Sequence, residues 1–195
     1  MSSLIAYLNH NQFVIATDTF VHSKNVDELD PVNFCSKTIY LPQHKCCVAG
    51  QGVAEVLNQF FVFAQQKVIA KDVHSLVNQA TIHFSYNLDN ISKFDNLATL
   101  FVFGVNDLTN KMEVYKMVIQ NSKPNQLQQI EFGLLHKPEI VDIENILKLN
   151  SNTDIYQKLA ILMKEQKKQD DLKKANERAG IGGQIQITTM VYDDT

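Results

Sequence analysis

The 195-residue sequence lacks the features that mark several classes of protein. Its formal net charge is −3 at pH 7, whereas nucleic-acid-binding proteins usually carry a clustered basic excess. It has no apolar run long enough to span a membrane. Its first residues include no positively charged segment, and the polar stretch 9–12 interrupts the apolar ones, so we expect no secretory signal. We therefore expect neither nucleic acid nor a membrane among its partners.

Cysteine is also scarce. Cys35, Cys46 and Cys47 are odd in number and two of them are adjacent, which is unlike a disulfide framework and favours a reduced, cytoplasmic setting. With His44 they would offer four metal ligands, but their spacing matches no common zinc motif. Adjacent strand residues also point to opposite faces. The sequence therefore predicts buried free cysteines, no metal site and no cofactor.

Hydrophobic residues make up 45% of the chain, which predicts one globular domain over residues 1–195. Short apolar runs bounded by turn residues predict four strands in the first part of the chain. The polar segment 22–35 between the second and third of them predicts a loop. The apolar spacing then changes to a helical period. The predicted strands are 3–8, 12–17, 37–41 and 45–49, and the predicted helices are 52–69 and 74–88.

The second half repeats this order of strands followed by helices. The helix over 153–178 is expected to begin at Thr153 as its N-cap and to end before the glycine-rich segment 180–183. Strand runs followed by helix runs indicate the α+β class, with two antiparallel sheets face to face and helices on both outer sides. The predicted strands are 97–105, 111–119, 127–134 and 184–192, and the other predicted helix is 139–149.

Two groups of ring-bearing side chains have simple structural explanations. Phe60, Phe61 and Phe63 fit core packing, although three aromatics this close cannot all point inward from one helix, which leaves an oligomer contact open. His83 lies on the apolar side of a predicted helix and is expected to be half-buried.

Ser2, Asp18 and Lys37 form a candidate catalytic set. If Met1 is removed, Ser2 carries a free α-amine beside its hydroxyl, and such an amine, with a pKa of about 7.7–8.0, can act as a base. A hairpin of the first two strands would bring Asp18 close to Ser2. Lys37 can then pair with Asp18, and its charge would lower the pKa of the hydroxyl. A backbone N–H near Gly50, at the expected start of a helix, can bind an oxyanion. Without catalysis, Asp18 and Lys37 form a structural ion pair.

The segments that carry these residues are SSLIAY (2–7), FVIATDT (13–19), SKTIYL (36–41) and CCVAGQG (46–52). In this order they resemble the start of proteasome β-type subunits and their bacterial relatives, which are N-terminal nucleophile (Ntn) hydrolases. In that family an Asp follows the nucleophile by sixteen residues, then come a catalytic lysine and an Ala-Gly turn. Asp18, Lys37 and Ala49–Gly50 match these positions.

The resemblance implies a four-layer αββα sandwich and a homo-oligomer. It implies Ser2 as the nucleophile, Asp18 and Lys37 as its supporting residues, and the Gly50 amide as the oxyanion donor. The implied substrate is a peptide or another amide, and the implied activity is that of a threonine-peptidase-like amidohydrolase with an N-terminal serine. Five of the seven glycines fall in the two matching segments, at 50, 52, 180, 182 and 183.

The sequence departs from the family in its second half. The family has a Gly-Ser-Gly-like segment that supports the nucleophile's amine, but residues 132–136 contain no serine. The family also has an Asp and a Ser before its Gly-Gly pair, where this chain has Arg178 and Ile181. Asp171 or Glu177 would have to replace that Asp. Two hypotheses therefore stay open, an amide-cleaving enzyme and a catalytically inactive proteasome-like subunit that acts as a structural or binding module.

Overall fold

The computed structural model describes residues 3–22, 31–86, 96–120, 126–174 and 177–192. The chain divides into two compact units, the first made of residues 1–37 and 132–189 and the second of residues 38–131 and 190–195. A single domain over 1–195 stays a prediction. None of the helices in the described ranges is long and apolar enough to cross a membrane.

The described residues form strands and α-helices that we number in chain order. The strands are β1 (Leu4–Leu8), β2 (Gln12–Asp18), β3 (Phe20–His22), β4 (Pro31–Phe34), β5 (Thr38–Leu41), β6 (Cys46–Gly52), β7 (Asn96–Asn106), β8 (Lys111–Gln120), β9 (Gln126–Ile130), β10 (Gly133–Lys137) and β11 (Ile185–Val191). The α-helices are α1 (Ala54–Val62), α2 (Val73–Tyr86), α3 (Ile143–Leu149) and α4 (Ile155–Asp171).

The first unit is built on an antiparallel sheet in the order β10-β1-β2-β11. The hairpin of β1 and β2 places Leu4 opposite Thr17 and Leu8 opposite Phe13, because a short polar turn joins two apolar strands. One face of this sheet packs on the apolar side of α4. The buried residues of this cluster are Ile5, Val14, Ala16, Ile140, Leu159, Leu162 and Met163.

The second unit is built on an antiparallel sheet in the order β5-β6-β7-β8-β9, and α1 and α2 pack on it. The rings of Phe60 and Phe84 stack at 6.1 Å in its core. Phe63 is also buried, and Phe61 is half-buried against the same core. These phenylalanines therefore serve core packing, while an oligomer contact through them stays untested. His83 is half-buried as expected and stacks on Phe63 at 4.5 Å.

The structure confirms two antiparallel sheets of the α+β class and corrects several boundaries. The predicted strand 127–134 is two strands, since β9 pairs with β8 and β10 pairs with β1. Gly133, with a φ of 131°, begins β10 in a conformation that favours glycine. The predicted loop 22–35 contains β4, and the short hairpin partner β3 precedes it; residues 23–30 lie outside the described residues.

The helices also differ from the predicted bounds. The helix predicted over 52–69 is α1 followed by a π-helical turn over Phe63–Lys67. The helix predicted over 153–178 begins at Ile155 with Asp154 as its N-cap, whose side chain accepts a hydrogen bond from the Gln157 N–H at 2.8 Å. Asp154 replaces Thr153 because its carboxylate reaches the free amides of the first turn. The helix ends at Asp171.

Candidate active site

Asp18 and Lys37 form a buried ion pair in the first unit. Asp18 is the last residue of β2. Lys37 directly precedes β5, whereas the sequence predicts it as the first residue of that strand. The Lys37 Nζ lies 2.8 Å from the Asp18 Oδ1, and the two side chains are 7% and 2% exposed. The pairing expected from the sequence is therefore present, and little water reaches it.

Two backbone amides share the carboxylate of Asp18 with Lys37. The N–H of Ser3, just before β1, donates to the Asp18 Oδ1 at 2.8 Å. The N–H of Gly182 donates to the Asp18 Oδ2 at 3.3 Å. Three donors on one carboxylate fix its orientation. The N-terminal strand, the lysine and the glycine-rich segment thus converge on one side chain.

Burial is the largest influence on the Lys37 ammonium, and it lowers the pKa of Lys37 below 10.5. The charge of Asp18 and its hydrogen bond to Lys37 oppose this shift. A partly desolvated lysine gives up its proton more readily than an exposed one. Lys37 can therefore supply a positive charge that little water screens.

Asp170 organises the glycine-rich segment from the last turn of α4. Its buried carboxylate accepts hydrogen bonds from the N–H groups of Ala179, Gly180 and Ile181 at 2.7, 2.8 and 3.3 Å. Asp170 is thus the acidic residue that precedes and holds the Gly-Gly segment, and neither of the two predicted candidates does so.

The two predicted acidic candidates lie elsewhere. Asp171 is half-exposed and pairs with Lys167 at 2.8 Å, and Glu177 is exposed. The sequence did not distinguish Asp170 from the adjacent Asp171, because only the packing of α4 shows which of the two is buried. An acidic residue on the buried face of a helix is the signal that points to Asp170.

Ser3 is a second residue that the sequence reasoning passed over. It is fully buried, and its hydroxyl contacts the Met163 Sδ at 3.0 Å and hydrogen-bonds to the Gln166 side-chain oxygen. The Gln166 amide nitrogen in turn donates to the Pro138 carbonyl. This chain of contacts ties the start of β1 to α4 and to the segment after β10.

The other two predicted site residues, Ser2 and Gly50, stay predictions. Ser2 lies outside the described residues. Gly50 lies in the second unit, inside β6 and opposite Leu100. The sequence predicts it instead at the start of a helix. The strand continues to Gly52, which pairs with Ala98 of β7. A Cβ on Gly50 would lie 2.6 Å from a Leu57 methyl group.

The cysteines differ from one another. Cys46 and Cys47 are free and buried, as expected, whereas Cys35 is free and exposed. Cys35 lines a cavity of about 390 Å³ together with Thr19, Ser36 and Gln184. Because Thr19 and Ser36 are the sequence neighbours of Asp18 and Lys37, this cavity opens beside the ion pair. Within the described ranges, no group of three or more side chains is arranged to hold a metal ion.

Comparison with solved structures identifies the fold, whereas comparison of the sequence finds no match. No family model and no curated protein matches the sequence. The structure has the fold of the proteasome-type Ntn hydrolases, an α+β fold with two antiparallel sheets.

Three solved structures share this fold. The Anbu complex from Pseudomonas aeruginosa, solved as a helical assembly, matches with a TM-score of 0.63 at 13% identity over 97% of this chain and 81% of that one. BPH from Thiobacillus denitrificans, in complex with epoxomicin, matches with a TM-score of 0.62 at 9% identity over 98% and 99%. HslV from Trypanosoma brucei matches with a TM-score of 0.59 at 11% identity over 97% and 99%.

Proposed function

We propose that this chain is an Ntn hydrolase that cleaves peptide or other amide bonds, with Ser2 as its nucleophile once Met1 has been removed. The observation that carries the proposal is the buried Asp18–Lys37 pair, whose carboxylate also accepts the N–H of Ser3. Ser2 is bonded directly to Ser3. A hydroxyl is a weak nucleophile without a neighbouring base and a neighbouring positive charge. In the proposed mechanism the α-amine of Ser2 is the base and Lys37 supplies the charge.

The reaction follows from these groups. The Ser2 hydroxyl oxygen attacks the amide carbonyl carbon while its proton passes to the Ser2 α-amine. The positive charge of Lys37 favours the developing alkoxide, and Asp18 holds Lys37 in position. The Gly50 N–H is the proposed donor to the oxyanion. The C–N bond then breaks, the leaving amine takes the proton, and a water molecule hydrolyses the resulting ester to free Ser2.

Lys37→Ala tests this mechanism. The variant should lose amide hydrolysis, with kcat/KM falling about 100-fold or more, because the charge beside the nucleophile is gone. Lys45→Ala is the matched control, since Lys45 also forms an ion pair at 2.8 Å but is exposed, and it should keep full activity. Circular dichroism must show that both variants fold. Unchanged hydrolysis in folded Lys37→Ala protein would refute the mechanism.

The state of the N-terminus is the second test. Intact mass of untagged protein should lack one methionine, and incubation with epoxomicin, the compound present in the T. denitrificans structure, should add its mass at residue 2. Retained Met1 without an adduct would instead support the inactive subunit. The absence of serine from residues 132–136 and the bonding of the Ser3 hydroxyl to Gln166 favour that alternative.

We also propose that the chain forms a homo-oligomer in the cytoplasm. The solved helical assembly of the P. aeruginosa Anbu complex supports self-association of this fold. Sedimentation velocity of the purified protein should show a species larger than the 22.2 kDa monomer. A purely monomeric boundary at micromolar concentration would contradict the proposal.

A further inference from the structure

A second, smaller cavity is lined in part by Asp18 itself. Its volume is about 190 Å³, and it lies between α4 and the glycine-rich segment. Sites for drug-sized ligands span roughly 300–1,000 Å³, so this cavity has room for one side chain rather than for a whole ligand. Its lining residues are Asp18, Met163, Lys164, Lys167 and residues 181–185.

The charge in this cavity is positive. The carboxylate of Asp18 is already neutralised by Lys37 and hydrogen-bonded by two amides. The Lys167 Nζ forms an ion pair with the Asp171 Oδ2 at 2.8 Å, which offsets its charge. Lys164, one turn earlier on α4, forms no ion pair with any residue in the part of the chain that the structure describes. One lysine therefore presents an uncompensated charge to whatever enters.

Apart from Gln184, the remaining walls are apolar side chains and glycines. Met163 and Ile181 are buried, and Ile185 begins β11. Such walls accept the methylene groups of a side chain while Lys164 meets its charged end. An acidic side chain matches this combination, whereas a lysine or arginine side chain would meet like charge.

We propose that this cavity receives an acidic side chain next to the cleaved bond, so that the enzyme prefers substrates with Glu or Asp at that position. The inference rests on the proposed function, since it concerns the substrate of the same site. Lys164 is its specificity-determining residue. The preference is modest because Lys164 is exposed and water and salt screen its charge.

Three peptide substrates test this inference, identical except for Glu, Gln or Lys at one position. One series varies the residue before the cleaved bond, and a second series varies the residue after it. In one series kcat/KM should fall in the order Glu, Gln, Lys, with Glu preferred over Gln by about three- to tenfold at low salt. The preference should shrink as the salt concentration rises.

Reversing the charge at residue 164 tests whether Lys164 causes the preference for an acidic substrate side chain. Lys164→Glu should invert the order so that the Lys substrate is cleaved faster than the Glu substrate. Lys148→Glu is the matched control, because it makes the same change in net charge at an exposed residue of α3 outside the cavity lining. It should leave the order unchanged.

The outcomes separate the two proposals. Hydrolysis of all substrates at equal rates, or an acidic preference that Lys164→Glu leaves intact, overturns the inference and leaves the proposed function standing. Absence of hydrolysis from protein that lacks Met1, together with no epoxomicin adduct, overturns the proposed function and this inference with it.

Discussion

The Asp18–Lys37 pair is expensive to bury, and its surroundings offset that cost. Removing two charges from water costs several kcal/mol per ion, which the attraction between them recovers only when their other hydrogen-bonding sites are filled. The amides of Ser3 and Gly182 fill those sites on Asp18. The pair therefore contributes more to the position of the N-terminal strand than to net stability.

Asp18→Asn should lower the free energy of unfolding by about 3 kcal/mol, because it leaves the buried Lys37 charge without a partner. Lys37→Met added to Asp18→Asn should restore part of that loss, since the uncompensated charge is then gone. Urea denaturation of the wild type, both single variants and the double variant gives the coupling energy. Additive effects of the two substitutions would show that the pair does not act as a unit.

The helix α4 carries much of the site, and its N-terminal boundary is testable. Asp154→Ala should lower the free energy of unfolding by about 1 kcal/mol, because the Gln157 amide loses its partner. Thr153→Ala is the matched control, since the Thr153 hydroxyl donates to the Asn150 carbonyl and caps no amide of α4. If Thr153→Ala lowered the free energy of unfolding more than Asp154→Ala does, Thr153 rather than Asp154 would be the N-cap.

The strand β7 crosses the centre of the second unit, where Gly104 lies opposite Cys46. Gly104→Ala should lower the free energy of unfolding by about 3 kcal/mol. The new Cβ would lie 2.8 Å from the Lys45 carbonyl oxygen and 2.7 Å from the Cys46 Cβ, neither of which can move easily.

Gly50→Ala is the comparison for Gly104→Ala. Its Cβ would meet only the ends of the Leu57 and Leu100 side chains at less than 3 Å, which can rotate, so the loss should be about 1 kcal/mol. Thermal denaturation of both variants decides the ranking. Equal decreases in stability would contradict the argument that the neighbours of Gly104 are rigid and those of Gly50 can move.

At the level of elements, the sequence predicted strands well where apolar or alternating runs were bounded by turn residues. β1, β2 and β8 agree with the sequence within one residue at each end, because such runs need no distant information. The split of 127–134 into β9 and β10 escaped prediction. The residues on both sides suit strands, and only their pairing with β8 and β1 separates them.

The stability of the whole molecule should depend on two buried thiols at high pH. Burial raises the pKa of Cys47 from 9.0 to about 12 and that of Cys46 still further. The folded protein then holds protons that the unfolded chain releases above pH 9.0, so stability is full below that pH and falls as the pH rises. The loss should reach about 1.4 kcal/mol per thiol for each further pH unit.

Cys46→Ala/Cys47→Ala isolates this effect. Lys37 acts in the opposite direction, because its lowered pKa makes stability increase as the pH rises towards 10.5, but this contribution is common to both proteins and cancels in their difference. Denaturant midpoints measured from pH 8 to pH 10.5 should converge as the pH rises. If the difference in denaturant midpoint between wild type and variant stayed constant with pH, the buried thiols would not be the source of the stability lost at high pH.

The sequence by itself determined the α+β class and the meeting of Asp18 with Lys37. The class follows from the period of the apolar residues, which separates strands from helices, and the pair was expected because Asp18 directly follows one predicted strand and Lys37 begins the next. Only the tertiary structure decided that Gly182, 164 residues from Asp18, donates to its carboxylate, and that Asp170 and Gln166 support the site. Such contacts depend on how α4 packs on the sheet, and a local period does not record that packing.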